Sequence, residues 1–211
     1  MNSDAVGQAM RDVADDIIRP RFRTLADGDI DTKSGPGDLV TIADVEAERA
    51  LTPLLAAIVD QPVVGEEASE ADPSLPDILG TASAGWTVDP VDGTWNFAHG
   101  SIDYAVMVGH VDRGEAHTGW ILYPETGNLL AGGVDAPVTV TDDDGFVRTV
   151  ASVAGEAARP VSQLRGMAVV KFASDDAASG LADLANDVGE VTQPRMCAGW
   201  DYWDVIDGDV D

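Results

Sequence analysis

The sequence predicts an α/β fold, of layered α+β type, with helices packed on sheets, and three observations carry that prediction. Two N-terminal stretches repeat apolar residues at helical spacing. A middle segment from Asp103 repeats them at strand spacing, and the last third alternates strand and helix. With 211 residues, 45% of them hydrophobic, the chain can bury a sizeable core. Residues 1–211 are expected to form a single domain, with an α+β lobe over 1–135 and a partial α/β lobe over 136–211.

Ser3 is placed to cap a first helix whose apolar face is Val6, Ala9, Met10, Val13, Ala14, Ile17 and Ile18, ending or kinking at Pro20. Residues 26–38, rich in Asp and Gly, read as a loop. Ile42 opens a second helix through Ala47, Leu51, Leu55 and Ile58, with Pro53 as a candidate kink. Pro62–Gly65 reads as a short strand ending in Glu66 and Glu67, residues 69–85 as a polar linker, and Trp86–Asp89 as a strand that turns sharply at Pro90. Tyr104–Val111 and Ala116–Tyr123 read as a hairpin across Asp112–Glu115. Strands over 129–134, 138–140 and 146–153 continue it. A strand over 167–172, a helix over 175–188, a strand over 191–193 and a helix from Trp200 complete the chain.

The charge is unusual. Asp and Glu number 38 against 12 Lys and Arg, a net charge of −26. Acidic disordered tails lack apolar periodicity, and this chain has it throughout. The expectation is a protein of a high-salt, halophilic cytoplasm, where ions screen the self-repulsion of so acidic a fold. Such a surface argues against nucleic acid and anionic membranes as partners. No apolar run is long enough to span a bilayer, and Met1–Asp4 has no signal-peptide character. The single Cys197 suits a reducing cytoplasm.

The chemistry concentrates between Trp86 and Phe97. Within six residues Asp89, Asp92, Gly93 and Thr94 follow an apolar run, and a plain surface turn needs no such set. Mg²⁺ takes oxygen ligands in octahedral geometry. Asp89 and Asp92, bent by Pro90, can converge on one ion with the Val91 carbonyl, and Glu66 can join from across a crevice. Two carboxylates with one bridging role allow a pair of ions, an arrangement suited to phosphoryl transfer. Gly93 and Thr94 offer backbone N–H groups to a phosphate if a helix begins there. Thr94, hydrogen-bonded to Asp44, can polarise a water without any histidine.

Asp38-Leu39-Val40-Thr41 with Asp44, then Gly65-Glu66-Glu67, then Asp89-Pro90-Val91-Asp92-Gly93-Thr94 with Asn96-Phe97 resemble, in order and spacing, the inositol monophosphatase family. Its members are Mg²⁺-dependent, lithium-sensitive-type phosphatases with an αβαβα sandwich like that of fructose-1,6-bisphosphatase. The resemblance implies metal ligation by Glu66, Asp89, the Val91 carbonyl and Asp92, with Glu66 also in the catalytic set. It implies water activation by Asp44 and Thr94, and substrate binding by Asp92, Gly93 and Thr94. Lys33 matches a lysine near the site in some members. The implied substrate is a small phosphorylated metabolite, of the inositol-1-phosphate or fructose-1,6-bisphosphate type, and the implied assembly a homodimer.

The departure is C-terminal. If Trp200–Asp211 matches the family's penultimate helix through Gly208 and Asp211, the chain stops before the last metal ligand and the closing strands, and this is the expected alignment. In the rival alignment Trp203-Asp204 is the family's Trp-Asp motif, with Asp204, or its neighbour Asp201, as that ligand. A metal-binding pseudo-phosphatase without turnover is the alternative function. Asp142–Gly145 and Asp207–Asp211 look calcium-like but read as hydrated turns. His99, His110 and His117 read as structural or surface residues, and Cys197 as a small core residue. Trp95 either lines the mouth of the site or simply packs.

Overall fold

In the computed structural model, which describes residues 2–33, 35, 37–150, 159–168 and 174–210, the chain forms two units, Met1–Val150 and Ala151–Asp211. The first helix, α1 (Ser3–Val13), is capped one residue earlier than expected. The Asn2 side chain accepts the Ala5 N–H at 3.4 Å, while the Ser3 hydroxyl accepts the Trp120 indole N–H at 2.8 Å. Ahead of Pro20 the helix widens into a π turn over Ala14–Ile18 and then tightens into a 3₁₀ turn over Arg19–Arg21.

The expected loop over 26–38 holds a strand. β1 (Ile30–Thr32) pairs antiparallel with β2 (Leu39–Thr41), Ile30 opposite Thr41. Thr41 then caps α2 (Ile42–Ile58) in a capping box with Asp44, and α2 runs on through Pro53. The polar linker also carries structure: β3 (Val63–Gly65) leads into α3 (Glu66–Ala71) and α4 (Asp77–Thr81). Glu66 is therefore the first residue of a helix rather than the end of a strand.

The main sheet of this unit has seven strands in sequence order, β3, then β4 (Ala84–Asp92), β5 (Ala105–Asp112), β6 (Glu115–Tyr123), β7 (Asn128–Gly133), β8 (Ala136–Thr141) and β9 (Val147–Thr149). Only the β3–β4 pair is parallel. Arg113 and Gly114, at φ 50° and 78°, make the tight β5–β6 turn, as the Asp-Arg-Gly-Glu signal predicted. Of the strand expected over 146–153, residues 151–153 lie outside the described residues.

Strand β4 does not stop at Pro90. It continues to Asp92, with an irregularity against β5 between the pairs Asp89–Met107 and Asp92–Ala105. Three steps on β4 face two on β5, so one residue is extra. Such a bulge needs no ladder N–H from proline and re-aims the side chains on either side. Behind it, Trp86, Val88 and Val91 are buried with Met10 and Ile18 of the first helix and Leu51 and Leu55 of α2. The aspartates thus stand at the end of a strand anchored in the core.

In the second unit β10 (Arg165–Met167) pairs parallel with β11 (Glu190–Thr192), with α6 (Asp175–Asp187) between them in sequence, and α7 (Ala198–Asp207) ends at Gly208 with φ 83°. The expected strand over 167–172 falls mostly outside the described residues. Arg195 donates to both oxygens of Asp204, at 2.9 and 2.6 Å, and its backbone N–H donates to Asp201 at 3.1 Å. Both acids named as substitutes for the last ligand are thereby engaged by one arginine.

Candidate metal and phosphate site

Three strand-to-helix junctions of the first unit supply the site: β2 to α2, β3 to α3, and β4 to α5 (Thr94–Ala98). At the third, Gly93 has φ 84° and ψ 38°, a left-handed conformation that lets the chain turn directly from strand to helix. Phe97 locks α5 down. It is fully buried and meets Tyr104 edge-on at 4.9 Å between ring centroids and Phe22 at 5.7 Å. Asn96 fixes the following loop by donating to the Asp103 carbonyl at 2.7 Å.

Thr94 meets Asp44 as predicted. The Thr94 hydroxyl lies 3.0 Å from Asp44 Oδ1 and 2.9 Å from the Val91 carbonyl. One hydroxyl proton thus has two acceptors. The other Asp44 oxygen accepts the Thr41 N–H at 2.9 Å and also the Thr41 hydroxyl. Asp44 is only 1% exposed, and burial pushes its carboxyl above the usual range against the opposing effect of those bonds.

Asp89, partly buried, lies near enough to the Glu66 carboxyl to feel its charge, and its own Oδ1 accepts the Val91 N–H at 3.2 Å. Burial, and then the negative charges of Glu66, Asp92 and Asp44, push Asp89 well above the ordinary carboxylate range. Lys33 projects from just after β1 and bridges Glu66 and Glu67 at 2.8 and 2.7 Å. Burial works to lower the Lys33 pKa, but the bonds to the two glutamates outweigh it and keep the ammonium protonated. Burial raises Glu67 to about 7 in spite of Lys33.

Among the described residues no three carboxylate, histidine or cysteine side chains are gathered tightly enough to hold an ion as they stand. The site gathers Asp44, Glu66, Glu67, Asp89 and Asp92 around the single Lys33 ammonium, and its candidate ligand atoms are all carboxylate and carbonyl oxygens. That donor chemistry fits a hard divalent cation such as Mg²⁺. Trp95 is 39% exposed and stacks on His99 at 4.0 Å between ring centroids. His110 is buried and bonded to Gln61, as a structural histidine should be.

Two contributors escaped the sequence reading. Thr41 is the partner of Asp44, and the Thr-x-x-Asp spacing of a capping box was the signal for it. Glu48 is buried on α2 and accepts the backbone N–H groups of Glu67 and Ala68. No local signal marks it, because its partners lie 19 and 20 residues away.

A left-handed glycine, a Thr–Asp pair and a bulged Asp-Pro-Val-Asp strand thus meet in one place, a set suited to a metal-dependent phosphatase. The family model described as the inositol monophosphatase family matches residues 3–211, and the chain belongs to that family. Inositol-1-monophosphatase SuhB of Mycobacterium tuberculosis is 40% identical over 86 residues, an alignment covering 39% of this chain and 28% of the relative. The chain thus aligns with less than a third of that protein's length. An IMPase structure from Thermotoga maritima superposes with a TM-score of 0.73 at 19% identity, covering 99% of this chain and 73% of that one. A structure of an IMPase/NADP phosphatase complexed with Mg²⁺ and phosphate superposes with a TM-score of 0.73 at 17% identity, covering 98% and 72%. The fold is that of these structures.

Proposed function

We propose that the chain is a Mg²⁺-dependent phosphomonoesterase acting on a small sugar or inositol phosphate. The observation that carries the proposal is the Thr94 hydroxyl 3.0 Å from buried Asp44, one residue beyond Gly93 and next to the acidic cluster. Glu66, Asp89, Asp92 and the Val91 carbonyl hold the cation, and the backbone of Gly93 and Thr94 seats the phosphate. Bound there, Mg²⁺ supplies the positive charge that offsets the phosphate and makes water acidic enough to react near neutral pH. Thr94 takes a proton from the attacking water and passes its own to Asp44. The water oxygen bonds to phosphorus as the ester oxygen leaves and collects a proton from solvent. The proton affinity that burial gives Asp44 suits it to this acceptance. The alternative is a binder that keeps the cation without turnover, and the engagement of Asp201 and Asp204 by Arg195 is the observation in its favour. Release of phosphate from inositol-1-phosphate that stops with EDTA supports the enzyme; Mg²⁺ binding with no release supports the binder.

The Asp89 carboxyl sets a pH dependence. Its folded-state pKa lies above the ordinary 3.8, so the metal-free protein holds a proton that the unfolded chain loses. That contribution to stability is complete below 3.8 and is lost as pH rises through the folded value. Mg²⁺ competes with the same proton. Calorimetry in buffers of different ionisation enthalpy is expected to show proton release on Mg²⁺ binding and weaker binding as pH falls. Binding without proton exchange at any pH contradicts the assignment of Asp89.

The same proposal takes the net charge of −26 as an adaptation to high salt. The screening length is about 3 Å at 1 M salt and about 30 Å at 0.01 M. Dialysis from molar to about 10 mM KCl should therefore cost the helical circular dichroism signal and activity together. Retention of both at low salt would remove the halophilic reading.

A further inference from the structure

We propose that Glu48 is a positioning residue that fixes Glu66 for the cation, an inference that rests on Glu66 being a ligand. Helix α3 begins after Gly65, which has no side chain with which to cap it. Its exposed amides are met from another element: one Glu48 oxygen accepts the Glu67 N–H at 2.7 Å, the other the Ala68 N–H at 2.9 Å. Glu48 is 7% exposed, so both bonds form away from competing water. A carboxylate is required here. Each oxygen serves one amide, whereas a glutamine brings one acceptor and an NH₂ group that faces the second N–H donor to donor.

Gly65 is shaped to the same contact. Its φ of −95° is open to any residue, but a Cβ built on it runs into the Glu48 carboxyl carbon and both its oxygens. A side chain at residue 65 would thus have to displace the Glu48 carboxylate from its two amide bonds, whereas the backbone conformation itself would tolerate one. Glu48 also lies one helical turn beyond Asp44 on α2, so both project from one face of that helix. The same rod that holds Asp44 against Thr94 holds the start of α3, and with it Glu66 against Asp89. The geometry couples the spacing of the water-activating pair to that of the ligands across the crevice.

The test uses the full chain in molar KCl, with Mg²⁺ alone as ligand and calorimetry as the readout. Glu48→Gln is expected to weaken Mg²⁺ binding about 10- to 100-fold, as loss of a group that orients a ligand does. The Glu67 and Ala68 amide proton resonances should move upfield together. Gly65→Ala should weaken binding comparably in the parent, yet add little in a Glu48→Ala background, where the Cβ has room. Glu66→Gln is measured beside them. Loss with Glu66→Gln but parent-like affinity and unmoved amide resonances in Glu48→Gln overturn the role of Glu48 alone. Parent-like affinity in Glu66→Gln overturns the ligand reading beneath it. Should Glu48→Gln not fold, Gly65→Ala presses on the same contact from the other side, and its parent-like affinity also overturns the proposal.

Discussion

Replacing Asp92 with asparagine should reduce phosphate release by about 10²- to 10³-fold, the scale on which sites lose catalysis with one electrostatic partner. Asp92 ends β4 just after the bulge that separates it from Asp89, and its charge is one of those that raise the proton affinity of Asp89. The asparagine has nearly the same shape and keeps one oxygen, so the strand and the Gly93 turn are undisturbed. It also removes one member of a crowded set of like charges. In EDTA the variant is therefore expected to melt no lower than the parent, while its affinity for Mg²⁺ falls. A melting temperature and a metal titration separate this outcome from simple unfolding. Undiminished turnover in a folded Asp92→Asn protein would leave the proposed mechanism without its cation site.

Thr94→Ala should lower kcat by about 10²- to 10⁴-fold, the range of general base catalysis. The change removes the hydroxyl that lies 3.0 Å from Asp44 and 2.9 Å from the Val91 carbonyl, leaving a buried carboxylate oxygen without that partner. Thr94→Ser restores the hydroxyl and should recover most of the rate, to within about tenfold of the parent. Because the backbone N–H of residue 94 remains in both variants, KM should change much less than kcat. Asp44→Asn should resemble Thr94→Ala, since it removes the proton acceptor behind the same hydroxyl. A fall in KM-dependent binding with kcat intact would assign Thr94 to substrate binding instead.

Much of this site is legible in the chain because its residues are crowded into one stretch. Asp89, Asp92, Gly93 and Thr94 lie within six residues, and a short apolar run fixes where they emerge. The Thr94–Asp44 pair crosses 50 positions, and only the resemblance and the chemistry of a water-activating relay connect its halves in the sequence. Other features obeyed a different competition. Pro90 reads locally as a strand end, but the bulge lets β4 carry it as far as Asp92. Strand β1 has three residues, too few for any periodicity, and exists because β2 pairs with it. Ser3 lost the cap to Asn2, a shift of one residue, because the Trp120 indole claims its hydroxyl. Glu48 shows the limit most clearly: on α2 it reads as one more polar residue, and only the fold brings it to α3.

The helical expectation for residues 3–81 succeeded where apolar spacing was strong and failed where polar residues intervened. Val6, Met10, Val13 and Ile18 are buried as their spacing required, and so are Leu51 and Leu55. The polar stretch after Gly65 concealed α3 and α4, whose residues are largely exposed and carry no apolar stripe. Glu66 consequently reads as a strand end, although it is the first residue of α3.

The measurement that bears most directly on the cation at Glu66, Asp89, Val91 and Asp92 is a Mg²⁺ titration of phosphate release from inositol-1-phosphate. It is made with the EDTA-stripped chain in molar KCl. The account predicts no release without added metal, a rise that saturates with Mg²⁺, and loss of that rise in Asp92→Asn. Release that is independent of Mg²⁺, or equal in Asp92→Asn, would contradict it.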